Sequence, residues 1–319
     1  MNKRFHVRRN GTQAMMGSVK LILRKMIIPT AIVVTVLMLS SCADTSQQET
    51  AVSGTVESES PLQMQDEQAE VLHNYVALGD SFAAMGGRDK PLRGEPFCLR
   101  STGNYPELIS GSVNDVTCQG AVTADLLSPR VTDRGQLPSQ IDALNEDTTL
   151  VTVSIGGNDL GFGDVASCIR QRIQQLRTGD CVEVLGDDID QRLLEVPGKL
   201  DQVHGQIRAR SGEAQVVVTG YLPLLNAVGH CPELDGVSEA DRYWAVELTA
   251  EINRMAREAA NQHGADFVLP KEAGNHTACA PPEQRWVDIR GVDTDAYPMH
   301  LTSTGHEAMA AAVRDVLAH

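Results

Sequence analysis

Along residues 72–319, short apolar runs recur between longer stretches with helical spacing. The first, Tyr75-Val76-Ala77-Leu78, leads straight into Gly79-Asp80-Ser81-Phe82 and predicts a strand, a tight turn and a helix start. Residues 106–110 predict a short helix opened by Pro106, and 113–117 a strand running into Cys118-Gln119-Gly120-Ala121. A helix is expected over 137–144. The run 149–155 is almost continuously apolar and β-branched, as in a strand buried on both faces of a parallel sheet, and it ends in Gly156-Gly157-Asn158-Asp159. Helical spacing dominates 165–176 and 189–209, and 215–220 reads as a further strand. Residues 239–263 form an amphipathic pattern with Trp244, Val246, Leu248, Ile252 and Met255, of which Trp244 and Met255 read as core rather than cofactor contacts. A short strand at 266–269 and a helix over 307–317, capped by Thr302 or Ser303, close the chain. Strands alternating with helices predict an α/β fold with a parallel sheet covered on both faces.

The amino terminus breaks this pattern. Seven basic residues and no acid occupy 1–41, and Arg24-Lys25 precede an apolar run over 26–39. That run is short for a bilayer span and has the length of an export-signal core. It ends in Leu39-Ser40-Ser41-Cys42, which resembles the lipobox of bacterial lipoproteins. The resemblance implies a signal peptide over 1–41, lipidation of Cys42 and a membrane anchor made of several acyl chains. A plain secretory signal is the alternative. Residues 42–71 are rich in Ser, Thr, Gln and Glu and read as a flexible tether, leaving 72–319 as one globular domain.

The whole chain has 27 basic and 42 acidic residues, and the segment after residue 41 keeps only 20 of the basic ones. So acidic a surface argues against nucleic acid and against electrostatic docking on anionic lipid. Cys98, Cys118, Cys168, Cys181, Cys231 and Cys279 follow Cys42; an even number in an exported chain predicts three disulfides, with fifteen pairings open. No close cysteine pair suggests zinc. A cluster of His230-Cys231 with His276 and Cys279 is the weaker metal alternative, and no metal or organic cofactor is expected.

Several strand ends would fall on one sheet edge, where ligands of open α/β sheets bind. Ser81 would stand at a helix N-terminus as a nucleophile, and His300, before the last helix, could take its proton. The Ser81 N–H, the Gly120 N–H and the Asn158 amide could stabilise a tetrahedral oxyanion.

The order Gly79-Asp80-Ser81, Gly120, Gly156-Gly157-Asn158-Asp159 and a histidine near the carboxyl terminus resembles the SGNH, or GDSL, hydrolase family, above all its secreted actinobacterial esterases and lipases. The resemblance covers about residue 73 to the end. It implies a three-layer α/β/α, flavodoxin-like fold, serine ester hydrolysis, and disulfides Cys98–Cys118, Cys168–Cys181 and Cys231–Cys279. Two positions depart from the family pattern: Tyr297 stands where an aspartate precedes the catalytic histidine by three residues, and Leu301 where a proline follows it. A Ser81–His300 dyad with the Tyr297 main-chain carbonyl orienting the imidazole is one expectation; a triad using Asp295 or Asp293 is the other. His306 is the competing base, read instead as a packing or capping residue.

The expected activity is therefore hydrolysis of a small-molecule, lipid or glycan ester at the outer face of a membrane, with envelope acyl lipids or O-acetyl groups as location-based candidates. Acyl transfer through the same residues, or a binding lipoprotein on a hydrolase scaffold, are the alternatives. Gly161-Phe162-Gly163-Asp164-Val165-Ala166 fits a loose dinucleotide pattern but follows the wrong strand. Asp80 and Asp159 are expected as hydrogen-bonding scaffold. Leu160 and Phe162 could line an acyl pocket or the core. His73, His204, His230 and His263 read as surface or core residues.

Overall fold

The computed structural model describes residues 71–176 and 178–318. The expected signal peptide, Cys42 and the tether up to residue 70 lie outside them. In chain order the strands are β1 (Tyr75–Gly79), β2 (Asn114–Asp115), β3 (Arg130–Thr132), β4 (Gly135–Leu137), β5 (Leu150–Ser154), β6 (Gln215–Thr219), β7 (Asp266–Val268), β8 (Val287–Asp288) and β9 (His300–Leu301). The helices are α1 (Ser81–Ala84), α2 (Tyr105–Ile109), α3 (Thr123–Leu127), α4 (Gly157–Leu160), α5 (Phe162–Ile173), α6 (Cys181–Arg210), α7 (Glu239–Gln262) and α8 (Ser303–Leu317).

Five strands make one parallel sheet in the order β2-β1-β5-β6-β7. Counted within the sheet this is 2-1-3-4-5, the doubly wound flavodoxin-like order. Every residue of β1 and β5 is buried, and alternate side chains enter opposite cores. Val76, Leu78, Val151, Val153, Val216 and Val218 pack with α6 and α7, whereas Tyr75, Ala77, Leu150 and Val217 pack with α2 and α8. The fold is therefore the three-layer α/β/α arrangement, and the near-continuous apolar strands follow from being covered on both sides. Three disulfides join Cys98 to Cys118, Cys168 to Cys181 and Cys231 to Cys279.

Two expectations are corrected. Residues 137–144 form no α-helix: Gly135–Leu137 pairs antiparallel with Arg130–Thr132, and after Pro138 a single 3₁₀ turn spans Gln140–Ala143. Ile141 and Leu144 are buried at the spacing of one such turn. The strand expected at 113–117 has its regular span over Asn114–Asp115 at the sheet edge, and the Val116 and Cys118 N–H groups carry the backbone bonding on to the Ala77 and Gly79 carbonyls of β1. Beyond these, α6 begins eight residues earlier than its pattern suggests, at Cys181, where its first residue is bridged to α5. The last helix begins at Ser303, with the Thr302 hydroxyl accepting from the Gly305 N–H as its cap.

Across the sheet face opposite α6 and α7, His306 on α8 ties together three segments. Its Nδ1 accepts from the Tyr105 N–H (3.1 Å) and its Nε2 lies 2.9 Å from the Met85 carbonyl, to which it donates. Both nitrogens are thus occupied by backbone, and the packing role expected for His306 is what the structure shows. Burial holds its pKa down to about 4, against the ordinary 6.5, with the Met85 bond opposing. An unfolded chain takes up a proton here below pH 6.5 while the folded ring stays neutral until about 4. The ring's contribution to stability is therefore present above 6.5 and lost across that window as pH falls. His306→Leu should cost about 2–4 kcal/mol at pH 7 by leaving two backbone groups unpaired. Urea unfolding at pH 7 and pH 5 should also show a smaller acid decline in the variant than in the parent.

Candidate active site

The carboxyl ends of β1 and β5 meet at the point where the strand order reverses, so the turns that follow them are neighbours. Gly79 ends β1 with φ +148°, and a Cβ there would lie 2.6 Å from the Ser154 carbonyl oxygen, so glycine is required for this close approach. Asp80 caps α1 by accepting from the Phe82 N–H (2.9 Å), which leaves Ser81 as the first helical residue. At that position a backbone N–H has no intrahelical acceptor. After β5, Gly156 in the left-handed region starts α4 and sets Asn158 on the same edge.

Ser81, Asn158 and His300 line one cavity of about 140 Å³ together with Phe82, Phe162, Ile169, Tyr221, Leu248 and other apolar side chains. Of the two residues just past Asn158, Phe162 borders this cavity, whereas Leu160 is fully buried in the core. The Asn158 Nδ2 donates to the Ala121 carbonyl (2.9 Å), which docks the Gly120 loop beside the Asn158 turn. One hydrogen of that amide remains for another acceptor. Asp159 receives the Thr123 N–H and hydroxyl at 2.8 and 2.7 Å and so braces the same loop, the scaffold role expected of it. Among the described residues neither the Ser81 nor the Gly120 N–H has an acceptor. Gly120 lies at φ +64°.

His300 opens β9, which pairs antiparallel with β8 and places Asp288 opposite it. The loop between these strands is held by Asp288: its Oδ1 accepts from the Arg290 and Gly291 N–H groups at 2.8 Å each, and its carbonyl from Met299 N–H at 2.7 Å. The imidazole Nδ1 lies 2.8 Å from the Pro298 carbonyl oxygen. A carbonyl can only accept, so Nδ1 carries the proton and Nε2 is the free base. The orienting carbonyl is therefore that of Pro298 rather than Tyr297, whose carbonyl accepts from the His300 backbone N–H (3.1 Å). The one-residue difference arises at Met299, whose φ of +66° turns the chain so that the ring reaches back two residues. Asp293 lies 3.7 Å from the Arg285 guanidinium, and the Asp295 carbonyl accepts from the Arg88 N–H. Neither carboxylate bonds to His300 among the described residues. Burial lowers the His300 pKa, with the Pro298 bond opposing. Ser81 and His300 share the cavity without a direct hydrogen bond, a spacing that closes on substrate binding in many acid–base sites.

Two residues of the site carry no sequence signature. Gln140 accepts from the Gly79 N–H (2.7 Å) and donates to the Gly79 carbonyl (2.9 Å), clamping the peptide that leads into the Ser81 turn. Tyr221, just past β6, donates to Asp80 at 2.5 Å and accepts from the Gly157 N–H at 2.9 Å. It thereby joins the Ser81 turn to the Asn158 turn. Burial raises the Asp80 carboxyl to about 7, against the Tyr221 and Phe82 hydrogen bonds that favour its anion. Only the partners of these amide and phenol groups reveal their roles, and all of those partners are distant in sequence. His204 is buried and stacked on His263, Cys231 and Cys279 are joined in a disulfide, and the described residues include no group of metal-ligating side chains.

Known proteins resemble this chain in sequence and fold. Residues 77–308 match the model of the GDSL-like Lipase/Acylhydrolase family. Lipase 2 of Streptomyces coelicolor is 31% identical over 78% of this chain and 88% of its own length. The crystal structure of the extracellular lipase from Streptomyces rimosus superposes with a TM-score of 0.59 at 27% identity, covering 76% of this chain and 98% of that one. Phospholipase A1 from Streptomyces albidoflavus NA297 gives 0.57 at 27% identity, with the same coverage. The chain therefore belongs to the GDSL lipase and acylhydrolase family and is a carboxylic ester hydrolase.

Proposed function

We propose that the protein cleaves acyl esters through a Ser81 acyl-enzyme. The reading is carried by one observation: Ser81, His300 and Asn158 border a single cavity whose remaining walls are mostly apolar. His300 Nε2 removes the Ser81 proton, and the hydroxyl oxygen attacks the ester carbonyl. The Ser81 and Gly120 N–H groups and the second Asn158 amide hydrogen receive the oxyanion. The alcohol departs with the proton from His300. Water, deprotonated by the same nitrogen, then releases the acid. A dyad is favoured over a triad because a carbonyl, not a carboxylate, holds Nδ1.

The apolar wall formed by Phe162, Ile169 and Leu248 favours an acyl chain over an acetyl group. Envelope acyl lipids therefore fit the site better than O-acetylated glycans. The basic leader and the Leu39-Ser40-Ser41-Cys42 motif support export and lipid anchoring through Cys42. The described residues contain no helix long and apolar enough to cross a membrane.

With p-nitrophenyl esters of increasing chain length, Ser81→Ala should lower kcat at least ~10³-fold with the unfolding midpoint unchanged. Asn158→Ala should cost about 10²–10³-fold. A parent and a Ser81→Ala variant that are equally active would remove Ser81 from the reaction. Asp293→Ala and Asp295→Ala should each keep kcat within about threefold; a loss of several orders of magnitude in either would establish a triad.

Because the base must be neutral and burial lowers its pKa, kcat/KM should rise with pH through an inflection below the ordinary imidazole value of 6.5. An inflection above 6.5 would contradict the environment assigned to His300. For the anchor, Cys42→Ser should shift the protein from the membrane fraction to the medium and abolish labelling by a fatty-acid analogue.

A further inference from the structure

The peptide that joins Gln119 to Gly120 presents two groups in opposite directions. Its N–H is the one assigned above to the oxyanion, and its carbonyl oxygen accepts a 2.8 Å hydrogen bond from Arg130 Nη1. We infer that Arg130 is a positioning residue for the reaction, orienting and polarising the Gly120 N–H through the Gln119 carbonyl. The inference rests on the Ser81–His300–Gly120–Asn158 reading of the site.

The physics is that of a hydrogen-bond chain. A carbonyl that accepts from a cation becomes more polarised, and the N–H of the same amide becomes a stronger donor. The benefit grows as negative charge develops on the substrate oxygen, so it acts on the transition state more than on the bound ester. The guanidinium is itself held in place. It lies 5.2 Å from the Phe97 ring centroid, within cation–π range, and its Nε is 3.6 Å from Asp125 Oδ2. Asp125 in turn accepts from the Val122 N–H, two residues past Gly120.

The loop is also fixed from its other side. Gln119 donates its backbone N–H to the Cys98 carbonyl (3.1 Å) and its side-chain amide to the Phe97 carbonyl (2.8 Å), next to the Cys98–Cys118 bridge. These bonds fix the path of the loop without touching the Gln119 carbonyl. Arg130 alone, among the described residues, bonds to that oxygen. The residue reaches it from the β3–β4 hairpin, which otherwise stands outside the main sheet. Arg130 is about a fifth exposed, so its removal opens no core cavity.

The test compares Arg130→Met, which keeps length and removes charge, with Arg130→Lys, on p-nitrophenyl butyrate and on a boronic-acid inhibitor that forms a tetrahedral adduct at serine. Arg130→Met should lower kcat about tenfold, less than loss of a whole oxyanion donor, with KM within twofold. Inhibitor affinity should fall by a similar factor. Arg130→Lys should recover most of both. Three results would overturn the inference: kcat within twofold in Arg130→Met, equal losses in the two variants accompanied by equal drops in unfolding midpoint, or a loss confined to KM. Ser81→Ala and Asn158→Ala run in parallel keep the two claims apart. If they lower kcat as expected while Arg130→Met keeps it within twofold, only the role of Arg130 fails. If they leave activity intact, the site reading itself fails.

Discussion

The site depends on the parallel pairing of β1 with β5. Tyr75 to Gly79 are in register with Leu150 to Ser154, and the Asp80 N–H continues the ladder onto the Ser154 carbonyl. Residues some seventy-five positions apart are thereby brought to one edge, with Ser81 one turn beyond one strand and Asn158 one turn beyond the other. A shift of one residue in that register would move every inward side chain to the opposite core as well as separating the turns. The same apolar burial that stabilises the sheet therefore also sets the spacing of the Ser81 and Asn158 turns.

Pairing brings the turns close, but side chains hold them there. Gln140 grips the peptide at Gly79, Tyr221 joins Asp80 to Gly157, and Asp159 holds the segment after Gly120. A Cβ on Gly157 would stand 2.9 Å from the Tyr221 ring, so the contact is tight enough to require glycine there. Burying an aspartate beside a tyrosine is costly in desolvation, and the fold offsets it with two hydrogen bonds to the same carboxyl. Rigid support of this kind is what keeps preformed donors aligned for a developing charge.

Much of this was legible from the chain alone, for identifiable reasons. Strands β1, β5 and β6 announce themselves because burial on both faces demands unbroken apolar runs, and the Gly-Asp-Ser and Gly-Gly-Asn-Asp turns follow them directly. The hairpin over 130–137 was not legible, since its residues lie at the surface with Val131 largely exposed, and the spacing of Ile141 and Leu144 imitates a helix. Long-range partners escaped for a different reason. Nothing local distinguishes Gln140, Tyr221 or Arg130 from other residues of their type; each acquires its role only when the sheet closes. The orienting carbonyl was placed one residue early because left-handed backbone at a methionine is not anticipated by composition.

Part of the cavity wall comes from elements other than those that carry the candidate site residues. Ser81 opens α1, Gly120 lies in the loop after β2, Asn158 lies in α4 and His300 opens β9, whereas Val165, Ala166 and Ile169 come from α5 and Ala245, Leu248 and Thr249 from α7. Helix positions can exchange one apolar side chain for another while the strand ends stay as they are. The size and shape of the cavity can thus change through these helices without altering the turns at the strand ends.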